Sequence, residues 1–250
     1  MISNNVLLGV TTCNQLEYTK VFIESYNKLE NKYDLIFIDD YSTDGTIDYL
    51  KNNDFNVVQK KQAAGLTHSW NLLYKYYIDN NYDYLFILNN DVLIPNNSIE
   101  PILNLLLNYT VVCPMSTKKG VGHNPIQSID NYYNNIPFDF TNPNLYQNTQ
   151  NYILNNTYRK NKIIMTKKFN GFAFAVNKNI INYEYSKNIL FNPSNINIAQ
   201  ESDLMYRLLL KRDFPVLSTL SFFYHYKAVT LNNRSFKNYD NRNDLLLYHK

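Results

Sequence analysis

The chain has 250 residues, 24 Lys plus Arg against 21 Asp plus Glu, a formal net charge of +3, and a composition 45% hydrophobic and 18% charged. A chain of this length buries well over half of its unfolded surface, so one α/β core needs no metal or disulfide staple. The 23 Tyr, 14 Phe and 1 Trp exclude global disorder, and +3 is too small a charge for a nucleic-acid footprint.

Val6 to Thr12 is a continuous apolar and β-branched run, which suits a strand buried on both faces. Tyr18 to Leu29 places Val21, Phe22, Tyr26 and Leu29 on one helical face. Asp34 to Asp39 repeats the strand pattern, and Ser42-Thr43-Asp44-Gly45 supplies turn and cap chemistry for a helix through Leu50, with Asp44 as the cap. Val57-Val58 follows as a short strand, Leu66 to Ile78 as a helix, Tyr84 to Leu88 as a strand, Ser98 to Leu107 as a helix and Thr110 to Cys113 as a strand. This alternation predicts right-handed βαβ units and a mainly parallel, Rossmann-like sheet with helices on both faces.

From Ser116 to Lys162 the pattern fails under Asn, Tyr, Pro and Gln, so this stretch is a functional cover or holds short elements without a visible period. Tyr132, Tyr133, Tyr146 and Tyr152 lie within it, and aromatic faces among amides suit sugar recognition; a plain surface insertion is the alternative. Lys162 to Lys168 then reads as a strand, Ala199 to Arg212 as a helix and Val216 to Phe223 as a strand. With neither repeat nor linker, residues 1–250 read as one domain: a nucleotide-binding half, 1–115, and an acceptor half, 116–250, carrying the irregular insertion 116–162.

Cys13 and Cys113 lack metal or disulfide spacing and read as free, buried thiols, and the lysine pairs at Lys60, Lys118 and Lys167 as solvated surface. Ile99 to Leu107 is too short and too interrupted to cross a bilayer, and Met1-Ile2-Ser3-Asn4-Asn5 does not open a secretory leader. The expectation is a cytoplasmic protein with no membrane-spanning segment.

In open α/β sheets ligands bind beyond the carboxyl ends of the strands. Three such ends are polar: Thr11-Thr12-Cys13-Asn14, Asp39-Asp40 and Asn89-Asn90-Asp91. Neither GxGxxG nor GK[ST] follows the first strand, so the expectation is that a metal handles phosphate. The adjacent carboxylates of Asp39 and Asp40 cost energy unless a ligand or donor offsets them.

Ile38-Asp39-Asp40-Tyr41-Ser42-Thr43-Asp44-Gly45-Thr46 resembles the VDDxSTDGT signature of the family 2, A-type fold (GT-A) glycosyltransferases. Leu88-Asn89-Asn90-Asp91-Val92 resembles that family's metal-binding DxD in the NND form of its rhamnosyltransferase-like members, and Ala64-Gly65 with Trp70-Asn71 its NxGxxxAxN segment. Asn170-Gly171-Phe172-Ala173-Phe174 is similar to the strand before its acceptor site, Gln200 to Arg207 to its EDxDLxxR, and Tyr224-His225-Tyr226 to its late histidine strand.

The resemblance implies a GT-A fold and an inverting transfer of sugar from a UDP- or dTDP-sugar donor to a hydroxyl of a glycan or similar acceptor. It assigns Mn²⁺ or Mg²⁺ to Asp91 and His225, and the donor to Thr11, Asn14, Asp39, Asp40, Gly65, Asn71, Asn89 and Asn90. Thr11 and Asp39 would line the nucleoside pocket, Asn89 touch the ribose, and Asp40 hold the turn through the N–H groups of Ser42 and Thr43. Glu201 falls at the base position, and Asp203 would orient acceptor or backbone. Two other readings compete. A nucleotidyltransferase needs a Gly-rich basic loop after the first strand, absent here, while a degenerate module that binds nucleotide sugar or glycan without turnover is favoured by the substitutions at Asn89, Gln200 and Glu201.

Overall fold

The computed structural model describes residues 5–117, 124–133, 142–156, 163–197 and 199–227. Among these, nine strands form one sheet: β1 Val6–Thr12, β2 Asp34–Asp39, β3 Asn56–Gln59, β4 Tyr84–Asn89, β5 Val92–Leu93, β6 Val111–Ser116, β7 Ile163–Met165, β8 Ala173–Asn177 and β9 Val216–His225. The order is β3-β2-β1-β4-β8-β6-β9-β5, with β7 also on β9. Strands β1, β2, β3, β4, β6 and β9 run one way, and β5, β7 and β8 run against them. The carboxyl ends of the six co-directional strands therefore open on one edge.

The strand runs are apolar because both faces are covered. All of β1 is buried. Leu7 faces Trp70, Leu73, Tyr74 and Tyr77 of helix α3 (Leu66–Asp79), in a cluster shared with Leu204, Met205 and Leu208 of α6 (Gln200–Leu210). Its neighbours Val6, Leu8 and Val10 join Phe22 and Ile23 of α1 (Leu16–Asn27), Leu50 of α2 (Thr46–Asn52) and Ile102, Leu103 and Leu106 of α4 (Glu100–Leu106). This is the period-two split of a strand between two helical layers, each buried aliphatic side chain contributing about 1.5–3 kcal/mol. No helix among the described residues is long and apolar enough to cross a membrane.

Several expectations change. The strand-like Lys162 to Lys168 shortens to β7, and the two-residue β5, too short to show a period, was not visible in the sequence. Strand β8, from the second half of the sequence, lies between β4 and β6 of the first, so the two halves share their sheet. The stretch from Ser116 to Lys162 contains 3₁₀ turns at Pro125–Gln127, Ile129–Asn131 and Pro143–Leu145, and helix α5 (Tyr146–Asn155). Tyr133 is buried with its hydroxyl donating to the Thr219 carbonyl, 3.0 Å, and its ring edge-on to Tyr152. Tyr133 is therefore core, and Tyr152 is partly buried against that core.

Helix α5 also shapes the end of β9. The β6–β9 register jumps from Pro114↔Ser218 to Met115↔Phe222, leaving residues 219–221 bulged. Fully buried Gln150 fills that gap: its Nε2 donates to the carbonyls of Leu220, 2.8 Å, and Asn97, 3.0 Å, and its Oε1 accepts from the Phe222 N–H, 2.9 Å. Gln150→Leu would orphan three backbone groups at once and should lower the unfolding free energy by about 2–4 kcal/mol, read as a shift of the urea midpoint.

Candidate active site

The ends of β1, β2 and β4 lie side by side, with Thr12 opposite Asp39 and Thr11 opposite Asn89. Thr11 is buried, its hydroxyl 3.4 Å from the Leu88 carbonyl. Asp39 is fully buried and accepts from the Thr12 hydroxyl, 3.0 Å, the Ser42 N–H, 2.8 Å, and the Ser42 hydroxyl. Asn14 completes the loop from the other side, its Oδ1 accepting from the Thr43 N–H at 2.8 Å and its N–H donating to Ser42 Oγ at 2.6 Å. Buried Asn90 donates to the Asn14 carbonyl, 3.3 Å, and to Thr19 Oγ1, 3.0 Å, so its amide braces the loop from within. Asp44 joins two helix starts, accepting from the N–H of Leu16, 2.9 Å, and of Thr46, 3.1 Å.

Asp40 does not hold the turn at Ser42 and Thr43; Asp39 and Asn14 do. Asp40 instead faces Lys60 Nζ at 2.7 Å and accepts from the N–H groups of Ala64, 2.7 Å, and Gly65, 3.1 Å. Lys60, expected at the surface, is 7% exposed and also donates to the Gly65 carbonyl, 3.0 Å. Burial lowers its pKa more than Asp40 raises it. It lies one residue beyond the Gln59↔Asp39 pair, so strand register, which no local sequence pattern shows, brings it to Asp40. Lys167 is exposed as expected, Lys118 lies outside the described residues, and Cys13 is only half-buried.

Gly65 has φ +85° and ψ 170°, and a Cβ there would come within 2.5 Å of Ile196 Cγ2 and 2.7 Å of its carbonyl oxygen. The start of α3 presses on residues 195–197 there: Asn197 Oδ1 accepts from the Leu66 N–H and the Ile196 carbonyl from the Thr67 N–H, each at 3.0 Å. Asn71 is drawn into the same contact. Both ends of its amide pair with the Phe191 backbone at 2.9 Å, which clamps that segment to α3 instead of offering the amide to a donor.

Asp91 and His225 come together as the β9 end pairs with β5, His225 Nε2 lying 3.3 Å from Asp91 Oδ1. The Tyr226 N–H donates to the Asp91 carbonyl, 3.1 Å, Thr117 Oγ1 donates to the His225 carbonyl, 2.9 Å, and the imidazole stacks on Phe172 at 4.6 Å. His225 Nδ1 is buried with no partner among the described residues. No group of three His, Cys, Asp or Glu suited to a metal occurs among those residues. A carboxylate and an imidazole in contact still fit a hard cation that takes its remaining ligands from phosphate and water. Tyr226, with Tyr18 and Tyr224 edge-on to it at 4.9 and 5.0 Å, stands beside this pair.

Glu201, in the first turn of α6, lies against Gly171, where a Cβ would meet Trp70 Cη2 at 2.5 Å and Glu201 Cδ at 3.5 Å. Burial raises the Glu201 pKa, against the pull of N–H groups from its own backbone and from Gly171 and of the Lys168 charge. Asp203 is held differently: Arg207 reaches it through Nη2 at 2.7 Å and Nε at 3.1 Å, then donates on to the carbonyls of Tyr183 and Leu190. Gly171 and Phe172 are consecutive, and the Phe172 carbonyl accepts from the Asn89 N–H at 2.9 Å. One short segment thus touches Glu201, His225 and the end of β4.

A buried ion pair that joins β2 to the start of α3 makes its own test. Lys60→Met leaves Asp40 buried without its cation and should cost about 3–5 kcal/mol, with Lys60→Met/Asp40→Asn recovering part of that in a thermal-melt double-mutant cycle.

The model of the family described as Glycosyl transferase family 2 matches residues 8–180. No curated protein matches the sequence. Among solved structures, GalNAc-T7 crystallised with UDP, GalNAc and Mn²⁺ superposes with a TM-score of 0.61 at 12% identity, over 88% of this chain and 43% of that one. Residues 1–349 of S. aureus TarS superpose with a TM-score of 0.57 at 13% identity, over 88% of this chain and 60% of that one. The chain therefore spans less than two thirds of either protein, and these likenesses show its GT-A fold. Because the family model covers more than half of the sequence, from within β1 to just past β8, the chain belongs to glycosyl transferase family 2.

Proposed function

We propose that the chain is an inverting, metal-dependent glycosyltransferase that moves a sugar from a UDP- or dTDP-sugar to a hydroxyl of a glycan or similar acceptor. The observation that carries this is the Gly171-Phe172 segment, which sets the Glu201 carboxyl and the His225–Asp91 pair against adjacent residues. Base and cation site for one displacement stand on a common support.

Thr11, Asp39 and Asn89 form the nucleoside side, the Asp39 carboxylate suiting an imino N–H of uracil or thymine. Asp91 and His225 would hold a divalent cation, Mn²⁺ or Mg²⁺, which would supply neutralisation of diphosphate charge. The acceptor oxygen bonds to the anomeric carbon, the bond from that carbon to the phosphate oxygen breaks with its electron pair, and Glu201 takes the hydroxyl proton. Asp203 is a positioning residue: through Arg207 it fixes the backbone at Tyr183 and Leu190 next to α6. UDP and Mn²⁺ in the GalNAc-T7 crystal accord with this donor class.

Glu201→Gln keeps the shape and removes the basicity, so nucleotide affinity should stay near wild type while transfer falls by at least ~10². A raised pKa places the acidic limb of the wild-type rate profile above the ordinary glutamate range, since the base must be ionised to accept a proton. Donor binding without transfer in the wild type would instead identify a binding module.

Calorimetry tests the metal. Asp91→Asn should weaken Mn²⁺ and UDP binding together, and His225→Ala should do so in part. Equal UDP affinity with and without chelator would remove the cation from the mechanism.

A further inference from the structure

The place that a Cβ of residue 171 would take is bounded by Trp70 Cη2 at 2.5 Å, Trp70 Cζ2 at 3.2 Å and Glu201 Cδ at 3.5 Å, so the six-membered edge of the indole and the carboxyl lean on the same bare α-carbon. Trp70 is buried and packs on Phe174 and Phe191. Its Nε1 is buried with no hydrogen-bond partner among the described residues, so ring packing alone fixes the indole. Glu201 keeps part of its surface open, as a group that must meet a substrate has to. Few charges answer its carboxylate. Exposed Lys168 acts on it from the segment before β8, the Gly171 N–H donates to it, and Asp203, two residues on along α6, is taken up by Arg207. Helix α3 meets it with the indole. An apolar wall disfavours the ionised form of a carboxyl, whereas a donor or a cation favours it.

We propose that Trp70 is a positioning residue for the base: its indole edge shuts water out of the Gly171 side of the Glu201 carboxyl and leaves a poorly hydrated carboxylate ready to take the proton of the acceptor hydroxyl. The proposal rests on the assignment of Glu201 as base given above. A carboxylate made more basic is the better proton acceptor, provided that it is ionised at the working pH. The raised pKa of Glu201, with burial as its largest cause, accords with this.

Carbon-13 NMR of the whole protein, labelled at the glutamate carboxyl carbon, tests it; of the six glutamate signals, that of Glu201 is the one lost in Glu201→Gln. Trp70→Phe shortens the apolar wall and removes no hydrogen bond. It should move the Glu201 titration midpoint down by at least ~0.5 pH, about threefold in proton affinity, and carry the acidic limb of the transfer rate down with it. UDP affinity with Mn²⁺ should stay within about twofold, which a general loosening of the site would not spare. Should Trp70→Phe not fold, Phe191→Leu, which gives the indole room to withdraw, should shift the midpoint the same way. A wild-type midpoint inside the ordinary glutamate range, or one that the substitution moves by less than that amount, overturns the assignment to Trp70 and leaves the base in place. Transfer at the wild-type rate in Glu201→Gln removes the base itself, and the assignment to Trp70 with it.

Discussion

The packing of Trp70 and Glu201 on the bare backbone of Gly171 is the constraint on which the site depends. A side chain at residue 171 would drive into the Trp70 ring, and that ring is wedged between Phe174 at 5.4 Å and Phe191 at 5.0 Å. The indole therefore has no room to retreat. Because Gly171 is fixed, Phe172 is fixed beside it, and its ring sets the plane of the His225 imidazole. Antiparallel β8 makes this possible: inserted between β4 and β6, it starts at the edge where the co-directional strands end. A strand running the other way would deliver Gly171 and Phe172 to the opposite edge.

The two adjacent carboxylates after β2 divide their work. Asp39 is neutralised by loop donors from Thr12 and Ser42, and Asp40 by a lysine and the backbone that opens α3. Neither arrangement needs a ligand for the fold to tolerate the pair, so adjacency alone was not evidence of one. The asymmetry still matters for chemistry. The hydroxyl donors of Thr12 and Ser42 can rotate away if a nucleobase takes the proposed place beside Asp39, whereas an ion pair in a dry site cannot be broken cheaply. Asp39 is therefore the member suited to a changing partner and Asp40 the member suited to a permanent one.

The sequence displayed what local periodicity encodes and concealed what distant contacts decide. The first five strands predicted from it and the helices at α1 to α4 and α6 appear within a few residues, because each carries its own apolar repeat. Helix α5 was hidden since its core contacts are Thr149, Gln150 and Ile153 in an Asn-rich stretch, and a buried glutamine has no apolar signature. The meeting of Asp91 with His225 was legible only through family motifs, as the 133 intervening positions carry no period that links them. Lys60 was misread for a related reason. A lysine pair after a short strand looks solvated until its opposing carboxylate is placed, and that placement is a matter of sheet register.

The segment between β8 and α6 shows how the halves of the site are kept in register. Asn71 clamps the Phe191 backbone, Asn197 and the Ile196 carbonyl accept the first N–H groups of α3, and Arg207 binds the carbonyls of Tyr183 and Leu190. A helix start leaves N–H groups without internal partners, and here the loop leading into α6 supplies the acceptors. Moving Glu201 away from the β2 end would therefore strip hydrogen bonds from α3, close to the Asp40–Lys60 pair. Displacing Asp40 would in turn free Gly65, which bears directly on Ile196. Distance between the proposed base and the nucleoside side is thus set by backbone polar groups that must be satisfied, a stiffer ruler than side-chain packing because each lost bond in a buried position carries its full desolvation cost.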